Sequence, residues 1–274
     1  MKTTLISTVA GLALSASAIA GGGAAITFDN GPEGWSINGQ ATIVPEGGNP
    51  GAHLRHVQTD TFGCNIRTDS NTDFVTDFTQ TGPVRITVDF KVNSITFFGS
   101  EVPRDIVLEL RDYDVDGPYP YNSVWFLAGE LPAPGEGWVT YEFIIDNVND
   151  TELPAGWGGT GDEDPDTFEP ILPENRTWTD MLQSIDEVQF TTFVPGFFYG
   201  FTNYDFEVDN ITITPLEPDC PADVDGSGTV DLADLNLVLG SFGQTTDAGD
   251  TNGDGQVDLA DLNAVLGAFG QTCP

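Results

Sequence analysis

The chain has 274 residues, among them 43 Asp and Glu, 8 Lys and Arg and 2 His, which gives a formal net charge of −35. Proteins that bind duplex nucleic acid or anionic membrane surfaces need clustered cations, so this balance excludes both classes. Hydrophobic residues make up 39% of the chain and aromatic residues 11%, which excludes a disordered acidic tail. The length allows one large domain and one small one, and the 32 Gly and 18 Pro predict many turns.

The N-terminus has the pattern of a secretory signal. Lys2 precedes an apolar stretch over residues 5–16, and Ala18-Ile19-Ala20 matches a signal-peptidase site. A buried helix or a membrane anchor is the alternative, although the stretch is too short to span a bilayer. We predict a signal peptide over residues 1–20 and a mature chain from Gly21. The protein is then expected to be secreted, of bacterial type, extracellular or at the cell surface, with no membrane insertion.

Residues 21–213 have the pattern of a mainly β domain. Apolar and polar residues alternate over residues 84–90, as in a strand with one buried face. Similar β-branched or aromatic runs, separated by turn residues, occupy residues 106–110, 139–145, 187–193 and 206–213. A helical turn is expected only around residues 178–185. Several short strands without intervening helices predict a β-sandwich, and two prolines in residues 214–218 predict a linker after it.

The C-terminal part contains a duplicated segment. Residues 223–244 and 250–271 align without gaps at a spacing of 27, and 16 of the 22 positions are identical. Oxygen-bearing side chains recur at loop positions 1, 3, 5, 7, 9 and 12, the spacing that wraps a calcium ion in EF-hand loops. They are Asp223, Asp225, Ser227, Thr229, Asp231 and Asp234 in the first copy, and Asp250, Asn252, Asp254, Gln256, Asp258 and Asp261 in the second. A solvated acidic face with helix-capping aspartates is the alternative.

Other positions of each copy fit the same kind of loop. Gly228 and Gly255 occupy position 6, where the chain turns sharply and a Cβ would hinder it. Val230 and Val257 occupy position 8 and are expected to pair with each other as a short β bridge. Apolar residues at helical spacing predict an amphipathic helix after each loop. They are Leu232, Leu235, Val238, Leu239 and Phe242, then Leu259, Leu262, Val265, Leu266 and Phe269.

With two loop–helix halves, Asp at position 12 and no helix before either loop, residues 219–274 resemble a type I dockerin domain. The resemblance implies a small all-α module that holds two structural Ca²⁺ ions and folds in a calcium-dependent way. It also implies attachment to a cohesin-like or cell-surface protein through loop positions 10 and 11, which are Leu232, Ala233, Leu259 and Ala260. Dockerins often carry polar residues at these positions and a Lys-Arg pair near the helix end, and both features are absent here.

Two of the three cysteines bracket this module. In an exported protein Cys220 and Cys273 are candidates for a disulfide, worth about 4 kcal/mol in the chain-entropy account, and two free thiols are the alternative. Cys64 is left without a partner, and we expect it to be buried rather than reactive.

The first domain opens with Phe28-Asp29-Asn30-Gly31 and ends with a strand-like run that contains Asp209. These stretches resemble the edges of galactose-binding-like jelly rolls, which include many carbohydrate-binding modules. The resemblance covers about residues 26–213 and implies a jelly-roll β-sandwich. In that family a structural calcium ion often joins the first and last strands, and Asp29 and Asp209 match those places. Two exposed strand-end carboxylates are the alternative.

Sugar binding uses aromatic faces against the apolar faces of sugar rings, together with a few polar groups. Tyr119, Tyr121 and Trp125 lie at odd-numbered positions and share one face if the segment is extended. Trp157 lies in a glycine-rich stretch, residues 151–178, that we predict to be a loop, and we expect this side chain to be exposed. Filling of the core by the same aromatic side chains is the alternative.

These patterns predict a secreted, non-catalytic protein that binds a polysaccharide or another surface and is attached through its C-terminal module. No catalytic residues are assigned, because 43 acids do not single out a pair. His53 and His56 lie three apart in an extended segment and so point to opposite faces, which disfavours zinc. A polysaccharide-degrading enzyme, either a hydrolase or a lyase, and a structural envelope protein are the alternatives.

Overall fold

The computed structural model describes residues 23–37, 39–115, 118–216, 220–246, 248–252 and 254–273. The predicted signal peptide, residues 1–20, lies outside these ranges, as do residues 217 and 218 of the predicted linker. The chain divides into two compact units, one that ends at Leu216 and one that follows it. Among the described residues, no helix combines the length and apolar character needed to cross a membrane.

The first unit is built mainly from antiparallel strands. In chain order they are β1 (Ala24–Ile26), β2 (Ser36–Ile37), β3 (Gln40–Val44), β4 (His53–Thr61), β5 (Asn65–Thr68), β6 (Val84–Phe97), β7 (Ser100–Glu101), β8 (Asp105–Asp112), β9 (Asn122–Glu130), β10 (Val139–Ile145), β11 (Trp157–Thr160), β12 (Asp162–Glu163), β13 (Pro170–Ile171), β14 (Glu187–Thr191) and β15 (Thr202–Pro215). Two short helices, α1 (Phe78–Thr81) and α2 (Trp178–Gln183), interrupt them.

The strands form two large sheets. One has the order β10-β6-β15-β4-β3, with β1 added to β15 and β7 added to β6. The other, the six-stranded sheet, has the order β11-β9-β8-β14-β5-β2. The rings of Phe143 in the first sheet and Phe190 in the second lie 5.7 Å apart, and both are fully buried. The two sheets therefore pack face to face around one apolar core, and the prediction of a mainly β sandwich is confirmed.

The boundaries of the sandwich differ in part from the sequence prediction. The helical turn predicted around residue 178 is helix α2, which begins with a capping box formed by Thr177 and Asp180. The linker predicted from Thr214 begins later, because β15 continues to Pro215, opposite Val84 of β6. Proline has no N–H group to donate to a strand ladder, and Pro215 is the last residue of β15. The predicted linker is therefore wrong at its first two residues.

The second unit contains two helices, α3 (Leu232–Ser241) and α4 (Leu259–Ala268). Its small core consists of buried residues from both repeats, namely Ala222, Val230, Val238, Val257, Val265 and Cys273. A disulfide joins Cys220 to Cys273. Of the ten apolar positions predicted to form the buried helix faces, only Val238 and Val265 are fully buried.

Leu235 and Leu262 are half-buried against this core, and the other six positions form matched exposed pairs, which corrects the predicted amphipathic faces. Leu232 and Leu259 are both 64% exposed, and Leu239 and Leu266 are both 51% exposed. Phe242 and Phe269 are 45% and 47% exposed. The agreement between the pairs indicates that the two halves have nearly equivalent surroundings. Two helices of ten residues each have too few neighbours to cover every apolar side chain.

The position 8 valines pair across the repeat rather than with each other, so the predicted bridge between Val230 and Val257 is wrong. The N–H group of Val230 donates to the carbonyl of Gln271, which follows α4, at 3.0 Å. The N–H group of Val257 donates to the carbonyl of Gln244, which follows α3, also at 3.0 Å. Each calcium-type loop is thus held by the chain segment that leaves the other repeat.

Strand β4 places its two histidines on opposite faces, as expected from the period of a strand. His53 Nε2 lies 3.6 Å from Glu207 on the outer face of the sheet. His56 lies in the core, with Nε2 3.0 Å from the buried thiol of Cys64 and its ring 5.0 Å from that of Phe206. Cys64 is therefore a core residue, as predicted, and burial raises the pKa of its thiol.

The stability of the sandwich is expected to depend on pH through His56. Burial lowers the pKa of its imidazole from 6.5 to about 4. As the pH falls, the unfolded chain therefore takes up this proton first, and the stabilisation present above pH 6.5 is lost towards pH 4. Between pH 7 and pH 4, we expect the free energy of unfolding to fall by up to about 3 kcal/mol more in the wild type than in His56→Gln.

Urea unfolding followed by tryptophan fluorescence measures this difference in the first unit alone, because all 5 Trp residues lie within it. Parallel pH profiles for the wild type and the variant would contradict the assignment to His56.

Candidate functional site

The outer face of the six-stranded sheet carries an unusual set of polar residues. In β8, Ile106, Leu108 and Leu110 point into the core, so Glu109 and Arg111 lie on the outer face. The strand register places Trp125, Glu109, Gln189 and Arg67 in one row across four strands. A second row joins Thr160, Ser123, Arg111 and Glu187. We call these two rows the floor, and Glu109, Arg111 and Thr160 of the floor line a cleft.

Ion pairs and hydrogen bonds connect the charged groups of this floor. Arg111 donates through Nη2 to Glu109 at 2.9 Å and through Nη1 to Glu187 at 3.2 Å. Arg67 donates to the other oxygen of Glu187 at 2.9 Å, and Gln189 donates to Glu109. Burial would lower the pKa of the Arg111 guanidinium, but the charge and hydrogen bond of Glu109, with further contributions from Tyr121 and Glu187, raise it. The floor is therefore a rigid network of paired charges.

Two of the predicted aromatic residues lie in this cleft, and a third lies beside it. The ring of Tyr121 stacks on the Arg111 guanidinium at 4.0 Å, and its hydroxyl accepts a hydrogen bond from Arg111 at 3.2 Å. Tyr119 donates its hydroxyl to Glu163 at 2.6 Å and so lies at the wall of the cleft. Trp125 lies on the same face of β9 and is partly exposed. Tyr119 and Tyr121 lie in the bends of residues 118–121, before β9, so the single extended segment on which the prediction depended is not present.

The prediction of an exposed Trp157 in a loop is wrong. It lies on β11, not in a loop, and it is buried against Phe126 and Trp178, whose rings are 5.6 and 4.8 Å away. The strand register puts Trp157 on the core face and its neighbour Gly158 on the outer face, opposite Trp125. A Cβ at Gly158 would come within 2.3 Å of the Trp125 ring, so the indole lies over this glycine. The glycines that suggested a loop instead make room for an aromatic side chain.

The cleft has a volume of about 290 Å³. Residues that sequence reasoning missed form much of its lining, namely Glu109, Arg111, Thr160, Phe168, Pro170, Phe193, Pro195 and Phe197. Glu109 and Arg111 lie within a predicted strand and its continuation, and their polar side chains in an otherwise buried segment are the signal that could have identified them. A larger cavity of about 460 Å³ beside Tyr141 contains none of the predicted site residues. Tyr141 and Glu136 in its lining are already hydrogen-bonded to backbone groups.

In the second unit, the predicted metal-ligand positions converge. Carboxylate oxygens of Asp223, Asp225 and Asp234 lie within 4.8 Å of one another. Asp234 is fully buried and accepts hydrogen bonds from the N–H groups of Asp225 and Asp231 at 3.0 and 2.8 Å. Carboxylates this close repel one another unless a cation lies between them, and residues 216–274 contain no Lys, Arg or His. The residues present therefore fit a calcium ion.

The second loop repeats these contacts at equivalent positions. Asp261 is fully buried and accepts from the N–H groups of Asn252 and Asp258 at 3.2 and 2.7 Å. Asp250 accepts from the N–H group of Gly255 at 2.8 Å, as Asp223 does from Gly228. The remaining ligand positions, Ser227, Thr229, Asp254 and Gln256, also lie in the loops, and at Thr229 and Gln256 the expected ligand is the backbone carbonyl.

Asp29 and Asp209 come together near the residue 48–52 turn. Asp209 is fully buried and accepts from the N–H group of Asn49, and Asp29 accepts from the N–H group of Ala52 at 2.9 Å. Burial, followed by the charges of Asp89 and Asp29, raises the pKa of Asp209 to about 6. A Cβ at Gly48 would come within 2.6 Å of Asp209, and one at Gly51 within 2.8 Å of Asp29. This glycine-lined cradle of repelling carboxylates also fits a cation.

No protein-family model matches the chain, and no curated protein matches it. Among solved structures, it is similar to a family 11 carbohydrate-binding module from Clostridium thermocellum, in complex with a β-1,3-1,4-mixed-linked tetrasaccharide. That alignment has 16% identity and a TM-score of 0.41, and it covers 72% of this chain and 98% of the other. A CBM22-2 xylan-binding domain from Paenibacillus barcinonensis aligns at 11% identity over 70% of this chain and 98% of its own, with a TM-score of 0.40.

An exo-β-agarase aligns at 14% identity over 70% of this chain and 25% of its own, again with a TM-score of 0.40. At these identities and scores, nothing about ligand or activity carries over from those proteins to this chain.

The floor network generates a stability prediction. Arg111→Met leaves Glu109 buried without its cation and leaves Glu187 with Arg67 alone, and loss of one partner of a buried pair costs about 3 kcal/mol or more. Arg85→Met is the matched control, because Arg85 and Glu142 form an exposed pair expected to contribute less than about 1 kcal/mol. Urea unfolding followed by tryptophan fluorescence gives both values. Equal losses in the two variants would contradict the burial argument.

Proposed function

We propose that the protein binds a polysaccharide chain, without cleaving it, in the cleft on the outer face of the six-stranded sheet. The observation that carries this proposal is the combination of a rigid polar floor with the aromatic side chains of Tyr121 and Trp125. A sugar ring can place its apolar face on an aromatic ring and its hydroxyls against fixed polar groups. The similar xylan-binding and mixed-linkage-glucan-binding modules suggest which polymers to test first.

The contacts of the cleft carboxylates favour binding over hydrolysis. A glycosidase uses two carboxyl groups on either side of the scissile bond. The carboxylates that line the cleft are Glu109, which is ion-paired with Arg111, and Glu163, which accepts a hydrogen bond from the Tyr119 hydroxyl, so each already has a partner within the protein. A polysaccharide-degrading enzyme is therefore the second candidate rather than the first.

The second unit is proposed to hold two Ca²⁺ ions, as a dockerin-like module does. Asp223, Asp225 and Asp234 would hold the first ion and Asp250, Asn252 and Asp261 the second, with the remaining loop positions completing each set. A third ion is proposed in the cradle of Asp29 and Asp209 in the sandwich. In each place the cation would offset carboxylate repulsion that no nearby protein cation relieves, so metal binding and folding would be coupled.

The exposed apolar residues of the two helices are proposed to form the attachment surface. Leu232 and Leu259 project at loop position 10 of each repeat, with Ala233 and Ala260 beside them, also exposed. Exposed apolar side chains in a unit this small mark a contact surface. Because the two repeats present it twice, a cohesin-like or cell-surface partner could dock in either of two orientations. This attachment would act outside the cell if the predicted signal peptide is functional.

Glycan binding can be tested by affinity electrophoresis in xylan, mixed-linkage β-glucan and agarose. We expect the full chain to be retarded by at least one polymer, and Tyr121→Ala and Trp125→Ala to weaken binding at least tenfold, since each removes a stacking surface. Trp138→Ala is the matched control. That partly exposed tryptophan lies near His53 and Lys91 on the other sheet.

The cleft proposal would be overturned if none of these polymers retards the protein. It would also be overturned if Tyr121→Ala, Trp125→Ala and Trp138→Ala weaken binding equally. Release of reducing ends or unsaturated products from a polymer would favour the enzyme.

Calcium binding can be tested by calorimetry of the EGTA-treated full chain. We expect three ions to bind, with Asp225→Ala and Asp209→Asn each removing one, whereas Asn236→Ala, an exposed change on α3, removes none. At calcium concentrations about 100-fold above the dissociation constant, each bound ion should add about 2.7 kcal/mol to stability. The sandwich should therefore gain about 2.7 kcal/mol from one ion and the second unit about 5.4 kcal/mol from two. Melting followed by tryptophan fluorescence reports the sandwich alone. Unfolding that is indifferent to EGTA and CaCl₂ would contradict both metal proposals.

A further inference from the structure

The segment that connects β14 to β15 is rich in exposed aromatic residues. Five of the nine residues from Phe193 to Phe201 are aromatic. Phe197, Phe198 and Phe201 are 61%, 72% and 56% exposed. Side chains of this size and apolar character are usually buried, and a cluster of exposed ones marks a contact surface.

These side chains form one surface together with a residue from a distant loop. The ring of Phe62 lies 4.1 Å from that of Phe201 and 4.8 Å from that of Phe198. The loop is also held from below, because Tyr199 donates its hydroxyl to Asp105 at 2.6 Å and stacks under the Arg104 guanidinium at 4.4 Å. The aromatic surface, defined as Phe62, Phe198 and Phe201, is thus preorganised, which lowers the entropy cost of binding.

The aromatic surface is continuous with the cleft. Phe193 and Phe197, at the start of the same loop, line the cleft. The Phe193 ring lies against Gly63, where a Cβ would come within 3.0 Å of it, and Gly63 directly follows Phe62. A chain that leaves the cleft past Phe193 would therefore meet Phe62 and Phe198 next.

The pairing of cations limits what kind of ligand this region can take. Seven of the 8 Lys and Arg lie within the described residues, and each has a partner there. Six pair with carboxylates, namely Arg55, Arg67, Arg85, Lys91, Arg111 and Arg176. Arg104 is buried and donates to Thr202 at 2.7 Å. A carboxylate or sulfate on a ligand would have to displace one of these partners, in a protein with a net charge of −35.

We propose that the aromatic surface is a second binding surface for uncharged polysaccharide, one that carries the chain onwards from the cleft. The proposal rests on the proposed function, since the same polymer chain would occupy both places. Flat phenyl rings suit the apolar faces of sugar rings, whereas anionic lipids and polyuronates find no unpaired cation among the described residues.

The test compares long and short ligands. The full chain, Phe198→Ser/Phe201→Ser and the matched control Phe242→Ser, an exposed phenyl in the second unit, are titrated with the polymer that binds best and with its short oligosaccharides. We expect the double variant to bind the polymer about tenfold more weakly and the oligosaccharides unchanged, with the control like the wild type. Polygalacturonate should not bind the wild type at either low or high salt.

The outcomes separate this proposal from the cleft proposal. If Tyr121→Ala loses binding but the double variant binds the polymer like the wild type, the aromatic surface is not a polysaccharide site and the cleft proposal stands. Equal binding of polygalacturonate would overturn the ligand class. Binding to phosphatidylcholine vesicles, or self-association that the double variant abolishes, would assign the surface to lipid or to a second copy instead. Binding of no polysaccharide would overturn both proposals.

Discussion

The central strands of the six-stranded sheet are covered on both faces, and the rest of the sandwich depends on that constraint. The strand period of two puts Leu108 and Leu110 of β8 in the apolar core and Glu109 on the other face. Glu109 is nevertheless buried, so its charge needs a partner, which Arg111 supplies two residues further along the same strand. On the neighbouring strands, Gln189 donates to Glu109, and Glu187 pairs with both Arg111 and Arg67. Ion pairs between neighbouring strands hold this buried polar face together.

Two aromatic side chains near the cleft pack closely against glycine residues. Trp125 lies flat on β11 because Gly158 offers no Cβ, and Phe193 approaches the β4–β5 turn closely because residue 63 is glycine. A larger residue at either place would lift the ring away from the sheet. The shape of the cleft therefore depends on small residues that carry no chemistry of their own.

The two units are stabilised by different interactions. The sandwich buries a large apolar core between its sheets, whereas the second unit buries four valines with little else and closes its ends with the Cys220–Cys273 disulfide. Crossed hydrogen bonds from Val230 and Val257 tie each loop to the opposite repeat. In this unit backbone contacts and covalent closure replace core volume. Because the core is so small, Leu232 and Leu259 remain exposed to solvent, where a partner could cover them.

Features that depend on local covalent geometry could be predicted from the sequence. Loop spacing predicted that Asp223, Asp225 and Asp234 surround one point, and strand alternation predicted that Glu109 lies on the opposite face of β8 from Leu108 and Leu110. The packing of distant segments determines which of the 43 acids pair with a cation, that Trp157 is buried, and that Phe62 lies against Phe198 and Phe201. Those contacts depend on the register between strands far apart in the chain, where a slip of one residue would reverse every face. The period of a strand predicts which residues share a face. Which neighbours cover that face depends on how the strands pack together.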